Sequence, residues 1–273
     1  MEKLKNIKHI VCVASGKGGV GKSTTAVNLA LSLLRRGFKV GLLDADIYGP
    51  SLPLMLGVEA GTRPKIVDKK FMQPIMAHGI ESNSMGYLVE PNTPMVWRAP
   101  MIVAAFNQML KDTLWSDLDY LIVDMPPGTG DIQLSLAQSA TITGAVIVTT
   151  PQDVALLDAR KGVEMFRKVK VPLLGVVENM GVHICSNCGH AEAIFGAGGG
   201  QKLSDDYGID VIGSLPLDLS IREHTDSGTP IVVALPEGAV AQAYLALADA
   251  MVARVETLAN QRVEAPTFSE SDD

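Results

Sequence analysis

The stretch Gly16-Lys17-Gly18-Gly19-Val20-Gly21-Lys22-Ser23-Thr24 constrains this chain more than any other. It satisfies the pattern G-x-x-x-x-G-K-[ST], in which glycines let successive backbone N–H groups turn inward around phosphate oxygens. Gly16, Gly18, Gly19, Val20, Gly21 and Thr24 are expected to form the cradle. Lys22 would neutralise phosphate charge, and Ser23 would offer its hydroxyl to Mg²⁺. The flanks agree: His9-Ile-Val-Cys-Val-Ala-Ser15 reads as a buried strand, and residues 24–36 read as a helix. A phosphate loop belongs at such a junction, where the helix N-terminus presents unpaired N–H groups and the positive end of its dipole.

The rest of the sequence supplies the sheet that such a loop needs. Residues 39–43, 120–124, 145–149, 173–178 and 211–215 are short Val/Ile/Leu runs lacking clear period-two alternation, the mark of strands buried on both faces. Helical stretches at 99–111, 153–169 and 199–207 fall between them. This alternation predicts a doubly wound, mainly parallel α/β sheet flanked by helices, with functional loops at the carboxyl ends of the strands. Residues 66–86 break the rhythm. Their short extended pieces at 71–76 and 80–84 read as an inserted β-rich excursion before Val96-Trp97-Arg98. Apolar residues at Val240, Tyr244, Leu247, Met251 and Val255 mark an amphipathic helix over 240–258. The expectation is one P-loop domain over residues 1–258 and a disordered acidic tail over 259–273.

Composition excludes several roles. At 273 residues, with 47% hydrophobic and 19% charged side chains, the chain is an ordinary globular protein near the upper size for one core. A net charge of −7 argues against nucleic acid as the main partner, which demands clustered Lys and Arg. No apolar run approaches the roughly 20 residues that span a bilayer, and the apolar stretch at 10–14 is too short for a secretory signal. A cytoplasmic location follows as the expectation. The three cysteines cannot make a disulfide framework. Cys12, inside the first strand, reads as a small core residue.

Three further motifs carry chemistry. Asp44-Ala45-Asp46 follows the second strand. Leu121-Ile-Val-Asp124-Met-Pro-Pro-Gly128-Thr-Gly130-Asp131 is an apolar strand ending in a carboxylate, which sets Asp124 beside Mg²⁺ through a coordinated water. Gly128 is expected to offer its N–H to a γ-phosphate, because no Cβ blocks the approach. Cys185-Ser-Asn-Cys188-Gly-His190, preceded by His183, places two thiolates on one side of a tight turn. Two thiolates underfill a metal site. Either the histidines complete a mononuclear zinc site, or two chains bring their cysteine pairs together around an iron–sulfur cluster.

With its early Lys17, the loop resembles the deviant Walker A motif of SIMIBI-type ATPases, which include nitrogenase iron protein, the MinD/ParA positioning ATPases and the Mrp/ApbC carriers. Gly16–Thr24, Asp44–Ser51, Val96-Trp-Arg-Ala-Pro100, Asp124–Asp131 and Glu178-Asn-Met…Cys185–His190 together resemble the Mrp/ApbC iron–sulfur cluster carrier ATPases over roughly residues 5 to 255. The resemblance implies a homodimer with two ATP molecules between its subunits. Lys17 would reach into the partner's site as a catalytic cation, a device worth about 10³–10⁵ in rate in GTPases. Asp46 would orient the attacking water and could accept its proton, and Asp44 would hold position or support the metal shell. Asn179 and the Pro216-Leu217-Asp218 loop would contact adenine. Cys185 and Cys188 of both chains would hold a bridging 4Fe–4S cluster, received from a scaffold and passed to apo-proteins.

Two departures qualify the resemblance. Many bacterial members carry a small N-terminal domain before this region, and its lack is expected to weaken contact with cluster donors or targets. Ala99 stands where the family commonly has glycine, and its methyl is expected to restrict backbone approach near Arg98. Two competing readings remain. One is a MinD/ParA-like positioning ATPase; the other is the same ATPase with structural zinc at the cysteines. The first leaves the C-x-x-C unexplained, and the terminal helix has Arg254 as its sole basic residue over 240–258, a poor membrane anchor.

Overall fold

The computed structural model describes residues 4–47, 49–88, 98–185 and 187–264, with residues 262–264 described by backbone alone. Tyr48, Val96, Trp97 and Ser186 of the motifs above lie outside the described residues. In chain order the strands are β1 (Ile7–Ala14), β2 (Val40–Asp44), β3 (Ile66–Val67), β4 (Phe71–Met72), β5 (Ile75–Ala77), β6 (Ile80–Ser84), β7 (Leu118–Asp124), β8 (Gly144–Thr149), β9 (Leu173–Glu178), β10 (His183–Ile184), β11 (Ala191–Glu192) and β12 (Val211–Ser214). The helices are α1 (Lys22–Arg35), α2 (Leu52–Met55), α3 (Ala99–Lys111), α4 (Asp131–Gln138), α5 (Asp153–Lys168), α6 (Gly199–Tyr207), α7 (Leu219–Asp226), α8 (Ile231–Ala234) and α9 (Ala239–Glu264).

Eight strands form one sheet in the order β12-β9-β8-β1-β7-β2-β6-β5, parallel except for the antiparallel edge pair β5–β6. The doubly wound expectation holds. Both faces are covered, which is why the strands carry continuous apolar runs. Within β1, Val11 and Val13 join the core under α1, α8 and α9, while Ile10, Cys12 and Ala14 join the core under α3, α4, α5 and α6. Burial pushes the Cys12 thiol up to about 12, so it stays an inert apolar group, as expected.

One expectation fails. Residues 66–86 are not a separate excursion: β6 lies parallel to β2 within the main sheet, and β5 closes its edge. Only the short β3–β4 pair stands apart. The extended piece expected at 80–84 is β6, but the apolar-run criterion does not assign it to the main sheet, because beyond Ile80 its buried side chains are polar and internally satisfied. Ser82 donates to the Ile75 carbonyl (2.8 Å), Asn83 to the Thr113 hydroxyl (2.7 Å) and Ser84 to the Asp44 carboxylate (3.0 Å). At the far end, α9 continues past Leu258 to Glu264, and residues 265–273 of the acidic tail lie outside the described residues. No helix among the described residues is long and apolar enough to cross a membrane.

Candidate nucleotide and thiolate sites

The carboxyl ends of β1, β2, β7, β9 and β12 lie along one edge of the sheet and carry nearly every residue singled out from the sequence. Strand β1 runs into the glycine loop, whose Gly19 and Gly21 both take φ of +81°, a conformation that side chains rarely adopt. Gly21 caps α1 without any side-chain bond, and no acidic residue occupies the first helical turn. A Cβ at Gly18 or Gly19 would meet nothing within 4 Å, so their surroundings are an open cradle. Gly16 has a different reason: a Cβ there would lie 2.1 Å from the Asp158 carbonyl on α5. Lys17 sits half-exposed on the loop, its backbone carbonyl accepting a hydrogen bond from the Ser15 hydroxyl (2.8 Å).

Beneath the loop, Lys22 is buried. Its Nζ donates to Asp124 Oδ1 at 2.5 Å and lies 3.1 Å from Ser23 Oγ and 3.9 Å from Asp46 Oδ2. Asp124 is fully buried at the end of β7, and its Oδ2 has no hydrogen-bond partner. A buried carboxylate oxygen left unpaired is costly unless a ligand completes it. Ser23 Oγ, Asp124 and Asp46 therefore offer a hard oxygen set beside the cradle, the donor type that suits Mg²⁺. Burial raises the Asp124 carboxyl, opposed by Lys22 and Ser23. Asp44 is pushed up to about 7 by burial and then by the neighbouring Asp124 charge. Its oxygens accept from the Asp46 N–H (3.0 Å), the Leu52 N–H (3.4 Å) and Ser84, so it fixes the backbone that presents Asp46.

Gly128 adopts φ +100°, so glycine is required there by conformation; a Cβ would meet only the Gln133 side chain at 3.4 Å. Its N–H donates to the Ser15 carbonyl (3.0 Å), so offering it to a γ-phosphate requires that bond to open. Arg98 and Ala99 are exposed at the start of α3, with Ala99 as the first helical residue.

A cleft of about 260 Å³ adjoins the loop, and Gly21, Thr24, Asn179, Pro216 and Asp218 all line it. The sequence had pointed to each of these five. Asn179 is buried, donates through Nδ2 to the Val20 carbonyl (2.9 Å) and accepts the Met180 N–H (3.0 Å) at Oδ1. Gly21 is also required by this contact, because a Cβ would sit 2.1 Å from Asn179 Nδ2. Asp218 caps α7, its Oδ1 accepting from Ser220 N–H (2.8 Å). Sequence reading missed Met55, Met180, Arg222 and Thr225 in the lining; Tyr244, read as part of the apolar stripe of the last helix, is core as expected and also lines the cleft. Met180 was legible as the neighbour of Asn179; Met55 and Thr225 carry no local signal.

The cysteines sit at the tip of the β10–β11 hairpin. Cys185 N–H donates to the His190 carbonyl (2.9 Å), Gly189 N–H to the Cys185 carbonyl (2.8 Å), and Gly189 takes φ +71° to close the turn. The N–H groups of Asn187 and Cys188 point at the Cys185 sulfur and hold its thiol below the ordinary range. A thiolate is thus favoured where a soft metal needs one. His183 contacts the Leu217 carbonyl through Nδ1 (3.0 Å), and among the described residues no three His, Cys, Asp or Glu side chains converge as a metal group. Each chain presents a pair of thiols, Cys185 half-buried and Cys188 exposed.

The chain is similar to known proteins over most of its length. A family model described as ParA, NUBPL iron-transfer P-loop NTPase, matches residues 6–252. The chain is 64% identical to an iron–sulfur cluster carrier protein of Pseudomonas fragi, covering 90% of this chain and 85% of that protein. It is 51% identical to the mouse iron–sulfur cluster transfer protein NUBPL, covering 93% and 80%. Among solved structures, a nucleotide-binding protein from Archaeoglobus fulgidus in complex with ADP superposes with a TM-score of 0.75 at 36% identity, covering 86% and 91%. The Pyrococcus furiosus cell division ATPase MinD, with a TM-score of 0.68 at 24% identity and coverage of 90% and 99%, shares the fold. The chain belongs to the NUBPL-type iron-transfer P-loop NTPases of the ParA family.

Proposed function

We propose that this chain is an ATP-hydrolysing carrier that holds a 4Fe–4S cluster between two copies of itself, accepts it from a scaffold and passes it to apo-proteins in the cytoplasm. One observation carries the reading: the nucleotide cleft and the cysteine hairpin are built on the same two loops. The loop after β9 holds Asn179 and leads into β10; the loop after β12 holds Pro216 and Asp218. They are bonded to each other, Gly181 N–H to the Leu215 carbonyl (3.0 Å) and Leu217 N–H to the Val182 carbonyl (2.9 Å). A nucleotide that binds one arrangement of these loops better than another shifts the hairpin with them.

The residues support the chemistry. Asn179, held by Val20 and Met180, keeps one amide hydrogen and one oxygen lone pair for the complementary edge of adenine. Lys22 exchanges Asp124 for the β- and γ-phosphates, and Asp46, presented by Asp44, orients the attacking water. Lys17 of the facing copy adds charge at the transferring phosphoryl group. Ser23 and Asp124 would hold Mg²⁺, which would supply positive charge to the phosphate oxygens.

Anaerobic reconstitution with iron and sulfide tests the reading. The expected result is about four iron atoms per dimer, lost in Cys185→Ala and Cys188→Ala while ATP hydrolysis persists. Lys17→Ala and Lys22→Ala are expected to abolish hydrolysis. Stable zinc at about one per monomer, with no iron uptake, would instead make the cysteines a structural site.

A further inference from the structure

We propose that the exposed aliphatic side chains of Val182, Ile184, Ile194 and Leu219 form a collar around the C-x-x-C. The collar packs against the same collar of a second copy and shields the shared cluster from water. The inference rests on the carrier reading above and adds the surface that encloses its cargo.

The hairpin is unsupported in a single chain. Strands β10 and β11 have two residues each and make no ladder with the main sheet. A two-stranded ribbon of this length does not hold itself together in water. Every residue from 187 to 194 is exposed. The anchors lie at its base, where Leu217 bonds Val182 and His183. Those same bonds bring the turn that starts α7, and with it Leu219, against the hairpin.

Single exposed aliphatics need no explanation. Here Ile184 is 55% exposed on β10, Ile194 51% two residues past β11, and Leu219 60% at the start of α7, two residues past the Leu217 that bonds the hairpin's base. Other aliphatics are as exposed elsewhere, Val154 and Leu54 among them, but the four of the collar gather beside the two thiols, and aliphatic surface gathered at a functional group marks a contact surface. The cysteines identify what covers it. A cluster with four thiolate ligands takes two from each chain, so the remaining ligands come from another molecule at this same spot. A two-fold axis through the thiols apposes identical collars, and aliphatic surfaces are self-complementary where like charges would repel. Solvent access to a cluster sets its lability, so the collar governs how readily the cargo leaves.

The test uses full-length wild type, Ile184→Ser/Ile194→Ser and Leu219→Ser, each reconstituted anaerobically. At protein concentrations that keep all three dimeric, they are expected to take up equal iron and hydrolyse ATP at equal rates, because the thiols and the nucleotide cleft are untouched. The Ser variants are expected to lose iron to a chelator at least about tenfold faster, with weaker self-association by sedimentation, since each substitution removes aliphatic surface from both copies. Ile184→Val is expected to behave as wild type. Iron loss and self-association unchanged in the Ser variants would overturn the collar while leaving the carrier reading intact. Failure of wild type to take up iron would sink both. Slower delivery to an apo-acceptor with an unchanged dimer would put a client protein on this surface and overturn the assignment to a second copy.

Discussion

The nucleotide cradle and the cysteine hairpin lie at the same edge of one sheet, yet they are built in opposite ways. In the cradle, Lys22, Asp44, Asp124 and Asn179 are all buried, and each is fixed by at least one hydrogen bond from a different element. The hairpin is exposed and hangs from two loops by a few bonds at its base. A site that stabilises charge on a transferring phosphoryl group gains from groups that need no rearrangement. A site that must take up and release its cargo gains from being half-built. The difference teaches that preorganisation is spent here on the chemistry and withheld from the cargo.

The largest effect should come from removing the cradle's buried cation. Lys22→Ala leaves Asp124 buried without its cation, a loss of up to about 3–5 kcal/mol in urea unfolding. Hydrolysis should fall by at least about 10²–10³. Cys185→Ala, on the hairpin, should change unfolding by no more than about 0.5 kcal/mol and leave hydrolysis near wild type. Equal losses in the two variants would erase the distinction between a rigid cradle and a loosely hung cargo site.

Two glycines divide the cradle itself. At Gly16 an added methyl would lie 2.1 Å from the Asp158 backbone, which cannot yield without moving α5. Gly16→Ala is expected to cost about 3 kcal/mol of stability, the upper end for overpacking. At Gly18 nothing lies within 4 Å. Gly18→Ala should unfold as wild type and show its effect only in nucleotide affinity, measured by titration. A Gly18→Ala protein as unstable as Gly16→Ala would mean the cradle is filled by protein and not open to phosphate.

Much of this was legible in the sequence, and the exceptions have physical causes. The glycine loop, Asp124 and the C-x-x-C announce themselves because the chemistry fixes residue types at fixed spacing. Strand β6 was read as extended at the right residues but left outside the main sheet, because Ser82, Asn83 and Ser84 are buried with hydrogen-bond partners inside the core and a buried polar strand carries no apolar run. The role of Gly16 in packing against α5 is a contact over 142 residues of sequence, invisible to any local pattern. Asp218 was expected to contact adenine; it lines the cleft, and its Oδ1 also caps a helix. Residues before helices commonly do this, so its place in the cleft lining comes from the turn as much as from its charge.

The subtlest effect concerns Asp44, the buried carboxyl that holds Asp46 in place. Burial and the Asp124 charge raise it to about 7, against roughly 4 for an unfolded chain. Between those values the native state binds more protons than the unfolded state, so stability falls as pH rises. The contribution is fully present below the ordinary carboxylate range and is lost as pH rises through about 7. Asp44→Asn keeps an acceptor for the Asp46 N–H and removes the charge. Relative to this variant, wild type without added nucleotide should lose about 2 kcal/mol of unfolding free energy between pH 5 and pH 8. Adding Mg²⁺ and ATP should shrink that gap, because cationic charge beside Asp124 relieves the repulsion. A gap that stays flat with pH would mean that Asp44 is ionised throughout. The cradle would then hold its carboxylates apart by hydrogen bonding alone, and its preorganisation would be independent of charge.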